Sequence, residues 1–280
     1  MSQKYKAIGI VLKGSSFKES DRLVTILTSE YGLIRAVAPG AKKHKSRLRG
    51  RTELFVVNEL LIVTGRSLDK IVQADTIYTY PGLSRDIGKL ACAQYLAELA
   101  LALALSEQPQ TELYELLNEH LRRIENLAPQ TSVYPYLAQA VFHVLAIAGL
   151  APQVYACCLT QTLLPPNLTT INWQVGFSFQ DGGVVDLAMQ KNLAALSEID
   201  SNELPTKIDY RLNGSELTIL QLLNHHSLPT TELANLEAAT DIFLEDAWMR
   251  IEKILREYIQ YQIGKSIRSA TLIDTLYVEF

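Results

Sequence analysis

Residues 4–38 read KYKAIGIVLKGSSFKESDRLVTILTSEYGLIRAVA, and their reading decides the fold. Three short runs rich in Ile, Val and Leu (Tyr5–Lys13, Arg22–Thr28 and Leu33–Ala38) are set apart by Gly14-Ser15-Ser16 and by Glu30-Tyr31-Gly32, residue types that favour turns. Two further runs of the same kind, Glu53–Thr64 and Leu68–Tyr78, flank Gly65-Arg66-Ser67, which reads as a tight hairpin link. Five short strands in about 75 residues, with no long helical period among them, predict a small antiparallel barrel. A five-stranded OB-fold is the economical form of such a barrel, because it closes its own edges and presents one face to single-stranded nucleic acid.

Pro81-Gly82 then punctuates the chain and the composition changes. Leu83–Leu105 is rich in Ala and Leu at helical spacing, and Glu112–Leu127 and Tyr134–Leu150 follow, separated by Pro109, Pro129 and Pro135. Residues 151–187 differ again: Pro152, Pro165-Pro166 and Gly182-Gly183 mark loops, with a short strand over Asn172–Phe179. Helical spacing returns over Asp186–Ile199, Glu216–His225 and Thr231–Ile263, the last with an apolar stripe of Leu233, Leu236, Phe243, Ala247, Ile251, Ile254 and Ile263. The expected architecture is α+β: an OB barrel over residues 1–80, then a helical domain over 81–280 with a loop module inserted at 151–187.

Charge is distributed unevenly along this frame. Residues 1–51 hold 12 Lys/Arg against 3 Asp/Glu, whereas the remainder holds 14 against 27. The basic excess culminates in AKKHKSRLRGR at 41–51, with Lys42, Lys43, Lys45, Arg47, Arg49 and Arg51 and no acid. A cluster of this kind releases the counterions condensed on phosphates, so the N-terminal part is expected to meet nucleic acid. If the segment is extended, Lys45, Arg47, Arg49 and Arg51 project from one side, and Arg35 and Arg66 extend the patch. Phe17 and Tyr31, which fall in turns, are candidates for stacking against bases.

Other chemistry finds less support. The chain carries no GxxxxGK[ST], GxGxxG, GxSxG or HExxH motif, so no catalytic constellation is expected. His225 and His226 are adjacent and cannot share one helix face as a metal pair. The apolar start Ala7–Leu12 is too short for a signal peptide, and Leu90–Leu105 is broken by Gln94 and Glu98, so no membrane span is expected. Three cysteines, two of them adjacent, give no disulfide framework, which makes the cytoplasm the expected compartment.

Several segments together carry a resemblance. The opening KAIGIVLKGSSFKESDRLVTILTSEYGLIRAVAPGAKKHKSRLRGRTELF, with its ESDRLVTILT, GLIRAVAPGA and KSRLRG runs, resembles the start of the recombination mediator RecO family. LREYIQYQIGKSIRS at 255–269 is similar to that family's closing helix. The resemblance implies an OB-fold followed by a helical domain, binding of single- and double-stranded DNA, and annealing of complementary strands. It also implies work with RecR and with the tail of the single-stranded DNA-binding protein SSB in loading RecA; from the residues themselves no cofactor is expected. A hydrophobic tail ending in a carboxylate needs an apolar groove with a flanking cation, for which Arg122 and Arg123 are the candidates. Many members carry a zinc module of two CxxC pairs. Here Cys157 stands at the first ligand position, Thr160 at the second, Asp186 at the third and Met189 at the fourth, and Cys158 cannot rebuild the spacing. The module is therefore expected to be zinc-free, held by apolar residues such as Trp173, Phe177 and Phe179.

Two rival classes differ in what they predict. A protein–protein adaptor would use the basic run on an acidic partner and show no salt-sensitive shift of DNA. A nuclease would need a carboxylate cluster for a metal, and Glu19, Asp21 and Glu53 are too dispersed in sequence to argue one.

Overall fold

The computed structural model describes residues 3–170, 172–190, 206–240 and 244–275. Five strands, β1 (Lys4–Phe17), β2 (Asp21–Thr28), β3 (Gly32–Ala38), β4 (Val57–Val63) and β5 (Asp69–Tyr78), close a barrel in the order β1-β2-β3-β5-β4. This is the OB-type barrel that the five short strands predict, except that β3 and β5 close it in parallel and not antiparallel. Ala7, Val11, Val24, Ile26, Ile34, Ala36, Leu60, Ile62, Ile71 and Ala74 point into one core.

The first strand is longer than its sequence suggests. Gly14-Ser15-Ser16, read as a turn, stays in β1 and pairs with Val24, Leu23 and Arg22 of β2. The turn falls instead on Lys18–Ser20, where Lys18 takes a left-handed φ of 51°. β1 serves both sides of the barrel, pairing with β4 over residues 4–10 and with β2 from Gly9 onward. A register shift between Val11 and Lys13 gives it the bend this requires. Gly9 sits at the crossing, where a Cβ would stand 2.6 Å from Ile26 Cγ2.

Compactness divides the chain at a different place from composition. One unit runs to Thr131 and includes the segment from Ile267 onward, and the other runs from Ser132 to Ser266. In the first, helices α2 (Ile87–Leu103) and α3 (Thr111–Glu125) pack with the barrel. Asp86 caps α2 by accepting the Lys89 amide at 2.9 Å. The link between α2 and α3 docks on the β2–β3 turn through three backbone hydrogen bonds: Leu33 N to Leu105 O at 2.9 Å, Glu107 N to Tyr31 O at 3.0 Å, and Gln110 N to Ser29 O at 2.8 Å. Gly32, at φ 64°, makes that approach possible.

The second unit is built on α4 (Tyr134–Ile147) packed against the helix Leu244–Ile263. Of the apolar stripe on the closing segment, Leu236, Ala247, Ile251 and Ile254 are buried, while Phe243 lies outside the described residues. The helix expected over Asp186–Ile199 is described only to residue 190. The expected strand near 172–179 is present as β6 (Val175–Ser178), but it does not stand alone in a loop. It pairs with β7 (Gly183–Val185) on one side and β8 (Tyr210–Leu212) on the other. The module thus draws its third strand from beyond residue 187, a pairing too distant for local pattern to reveal.

Candidate nucleic-acid interface

Strand register gathers one end of the barrel. Arg22 lies opposite Ala38, and Val37 opposite Lys70, so the start of β2, the end of β3 and the start of β5 are neighbours. Two connections leave from this end, the turn Lys18–Ser20 and the stretch 39–56. They are tied together: the Lys42 amide donates to Ser20 O at 2.9 Å, and Asp21 Oδ1 accepts the Gly40 amide at 2.8 Å. The Gly40 amide, with the Ser20 hydroxyl, holds the Asp21 carboxyl below its ordinary pKa, so the tie is charged and intact at neutral pH.

The basic run itself is pinned rather than loose. Of its two apolar residues, Ala41 is buried in the barrel core and Leu48, half-buried, packs against that core from outside. Between them the chain turns, and Leu48–Arg51 forms one helical turn, α1. Ser46 Oγ accepts the Leu48 amide at 3.3 Å, and the Thr52 hydroxyl donates to Leu48 O at 2.8 Å. The extended segment on which the one-sided projection of Lys45, Arg47, Arg49 and Arg51 depended is therefore absent, since Leu48–Arg51 is helical. Lys42, Lys43, Lys45, Arg47 and Arg49 are exposed, and among the described residues no carboxylate forms an ion pair with any of these five.

Arg51 behaves differently. Its guanidinium donates to the Ala74 carbonyl of β5 and pairs with Asp75 at 3.2 Å. A charged donor on a half-buried carbonyl is worth about 1–2 kcal/mol after solvent screening of the Asp75 pair. Arg51→Ala should accordingly lower the melting temperature by about 3–6 °C and cost less DNA affinity than Arg47→Ala, measured by thermal melt and gel shift. Equal affinity losses with an unchanged melt would reverse this assignment.

Of the remaining expected contacts, Arg35 is exposed on β3 opposite Thr25, one residue before the β3–β5 pairing, and Arg66 is exposed in the β4–β5 turn that leads into that pairing. Phe17 stands at the same end, half-buried, with Lys18 Nζ 5.6 Å from its ring centroid. Tyr31 stands apart from Phe17, although Tyr5, on which its ring lies, donates its hydroxyl to Asp69 at the start of β5. Tyr31 lies past the far end of β2, its ring tilted against Tyr5 at 4.9 Å. Lys18 and Lys70, both exposed, belong to the basic end although sequence reading passed them over. A sequence signal existed for the anchors: Leu48 is the one large apolar residue in a run of cations.

The pair Arg122 and Arg123 on α3 splits in the same way. Arg123 is engaged by Glu119 one turn earlier. Arg122 lies over the Tyr78 ring at 5.3 Å, beside an open groove lined by Ile77, Tyr78, Pro81, Arg85 and Glu125. Hydrogen bonding to Glu125 raises the Tyr78 hydroxyl above its usual pKa. As for carboxylates, Glu53 is paired with Arg22 at 2.7 Å and Asp21 with backbone. Among the described residues no three His, Cys, Asp or Glu side chains are placed to hold a metal ion, and no helix is long and apolar enough to cross a membrane.

Comparison with known proteins agrees with the order of these elements. A family model described as Recombination protein O N terminal matches residues 1–80, and one described as Recombination protein O C terminal matches residues 84–271. The chain is 57% identical over 286 residues to the DNA repair protein RecO of Gloeothece citriformis, spanning 99% of this chain and 98% of that protein. It is 52% identical over 298 residues to the protein of that name from Nostoc sp., spanning 99% and 97%. With that from Synechocystis sp. it shares 47% over 277 residues, spanning 99% and 98%.

Proposed function

The chain belongs to the RecO family of recombination and DNA repair proteins, and from that premise we propose that it is a non-enzymatic mediator that binds single- and double-stranded DNA through the basic end of its barrel and anneals complementary strands. Two DNA strands repel through their phosphates, and each bears a condensed counterion layer. Cations held beside both strands lower that repulsion and release the counterions, so base pairing proceeds. The observation that supports this reading is the set of five exposed Lys and Arg side chains fixed to the barrel by Ala41 and Leu48, with no carboxylate among the described residues in ion-pair contact.

In the same reading the protein helps load RecA onto SSB-coated single strands, together with RecR, in the bacterial cytoplasm at the nucleoid. The SSB tail would lie in the groove beside Tyr78 and Pro81, where Arg122 and Arg85 supply cations for its terminal carboxylate and Ile77 offers exposed apolar surface.

The test is a titration of single-stranded DNA, with an annealing assay, at about 50 and 200 mM salt. Meeting about five phosphates gives a log–log slope of roughly −3.5, so affinity should fall by about 100-fold across that range and annealing should slow with it. Binding that ignores salt would point to the adaptor class, and DNA shortened in the presence of Mg²⁺ would make the protein a nuclease.

A further inference from the structure

A structural zinc site takes four thiolate or imidazole donors in a tetrahedron, and the residues at the four positions of the family's module do not fit one. Cys157 alone is a suitable ligand. Thr160 Oγ1 lies 3.0 Å from Thr162 Oγ1. The Asp186 carboxylate accepts the Ala188 amide at 2.8 Å and so caps the turn that follows it. Met189 is 43% exposed. The Cys157 sulfur itself accepts the Asp186 amide at 3.3 Å, so the atom that would bind a metal is bonded to the backbone of the third ligand position.

We propose that this module is a metal-independent clasp, in which backbone lacing and an aromatic cluster centred on Phe179 perform the closure that zinc performs elsewhere. The lacing joins the two former knuckles directly. Gln153 N donates to Gly182 O at 2.8 Å, Val184 N to Gln153 O at 2.9 Å, and Cys158 N to Val184 O at 2.8 Å. Gly183 permits it: its φ is 157°, and a Cβ there would stand 2.1 Å from Gln153 O.

The cluster then fixes the laced sheet to the helix Leu244–Ile263. Among the described residues Phe179 has four aromatic neighbours, with ring centroids at 6.1 Å (Phe177), 6.0 Å (Tyr210), 5.9 Å (Tyr258) and 5.9 Å (Tyr261). Phe177 is fully buried and meets Tyr258 edge-on at 5.7 Å. Tyr258 and Tyr261 come from the helix, and Tyr210 from β8. Two hydrogen bonds frame the contact: Gln262 Nε2 to Phe179 O at 3.0 Å, and Tyr210 hydroxyl to Glu257 Oε2 at 2.7 Å. A zinc ion closes such a module at one point, through bonds that chelators break. Edge-on and tilted ring contacts spread the closure over an area that chelators leave alone.

The experiment uses the full chain, with metal content by elemental analysis and unfolding followed by near-ultraviolet circular dichroism. The wild type should carry far less than one zinc per chain and melt at the same temperature with and without a chelator. Phe179→Ala should lower the midpoint by roughly 10 °C. Tyr261→Ala, which removes one exposed ring, should lower it by a few degrees and serves if the first variant does not fold. Cys157→Ser should leave metal content unchanged. The combined Thr160→Cys, Asp186→Cys, Met189→Cys variant should bind one zinc and become sensitive to chelation. One zinc per wild-type chain with a chelator-dependent midpoint would overturn the proposal, as would aromatic variants that melt like the wild type.

Discussion

Reversing Arg47 and Arg49 together to glutamate should weaken binding of single-stranded DNA by a factor on the order of 100 to 1000 at about 0.1 M salt. The two side chains flank Leu48, which packs against the barrel core beside a helical turn that Arg51 also ties to β5. Both are exposed, and among the described residues neither forms an ion pair, so no internal partner is lost by the substitution. Removing two cations and adding two anions changes the effective charge by about four, and each charge carries about 0.7 in the log–log salt slope for a single strand. The slope should therefore flatten strongly along with the loss. Leu48 still anchors the turn in this variant, so the melting temperature should move by no more than about 2 °C. A gel-shift series at several salt concentrations measures both quantities. Affinity that survives the double reversal would remove the basic run from the DNA-binding surface, whatever the fate of the fold.

The second large effect concerns stability. Gly32→Ala should destabilise the unit that contains the barrel by about 3–5 kcal/mol, a fall in melting temperature of roughly 10–20 °C. Gly32 adopts φ 64°, and a Cβ there would stand 2.1 Å from Leu105 O and 2.6 Å from Gln108 O, both backbone atoms of the α2–α3 link. Neither can yield cheaply, because the same link makes three hydrogen bonds with the turn. Gly40 supplies the control. Its φ of 65° is nearly the same, yet its nearest neighbour is the flexible Lys43 Cδ at 3.7 Å. Gly40→Ala should therefore cost only the left-handed strain, about 1 kcal/mol. Comparable melts for the two variants would show that the docked link contributes little to holding the turn.

These residues also mark how far sequence alone reaches. The strand content, the barrel and the basic run were legible because each is written in neighbouring residues: short runs rich in Ile, Val and Leu, turn signals and a series of cations without an acid. The length of β1 was not, since Gly14-Ser15-Ser16 is held extended by pairing with β2 against its own turn preference. Nor was the conformation of 45–51, where a helical turn replaces the extended run that the spacing of the arginines assumed. The separate fate of Arg51 depends on Asp75 and Ala74, more than twenty positions away, and β8 joins its sheet from a similar distance. Long-range partners of this kind leave no local trace.

One further consequence lies in the seam of the barrel. β3 and β5 share only the pairs Ala36–Asp69 and Val37–Lys70, so beyond Lys70 the flank of β5 would be a bare strand margin. Arg51 meets the Ala74 carbonyl there, and α1 packs against the strand. A bare margin of this kind invites a second chain to add itself as a new strand. The cation-rich turn thus covers part of this margin and leaves less of it open to the addition of a foreign strand.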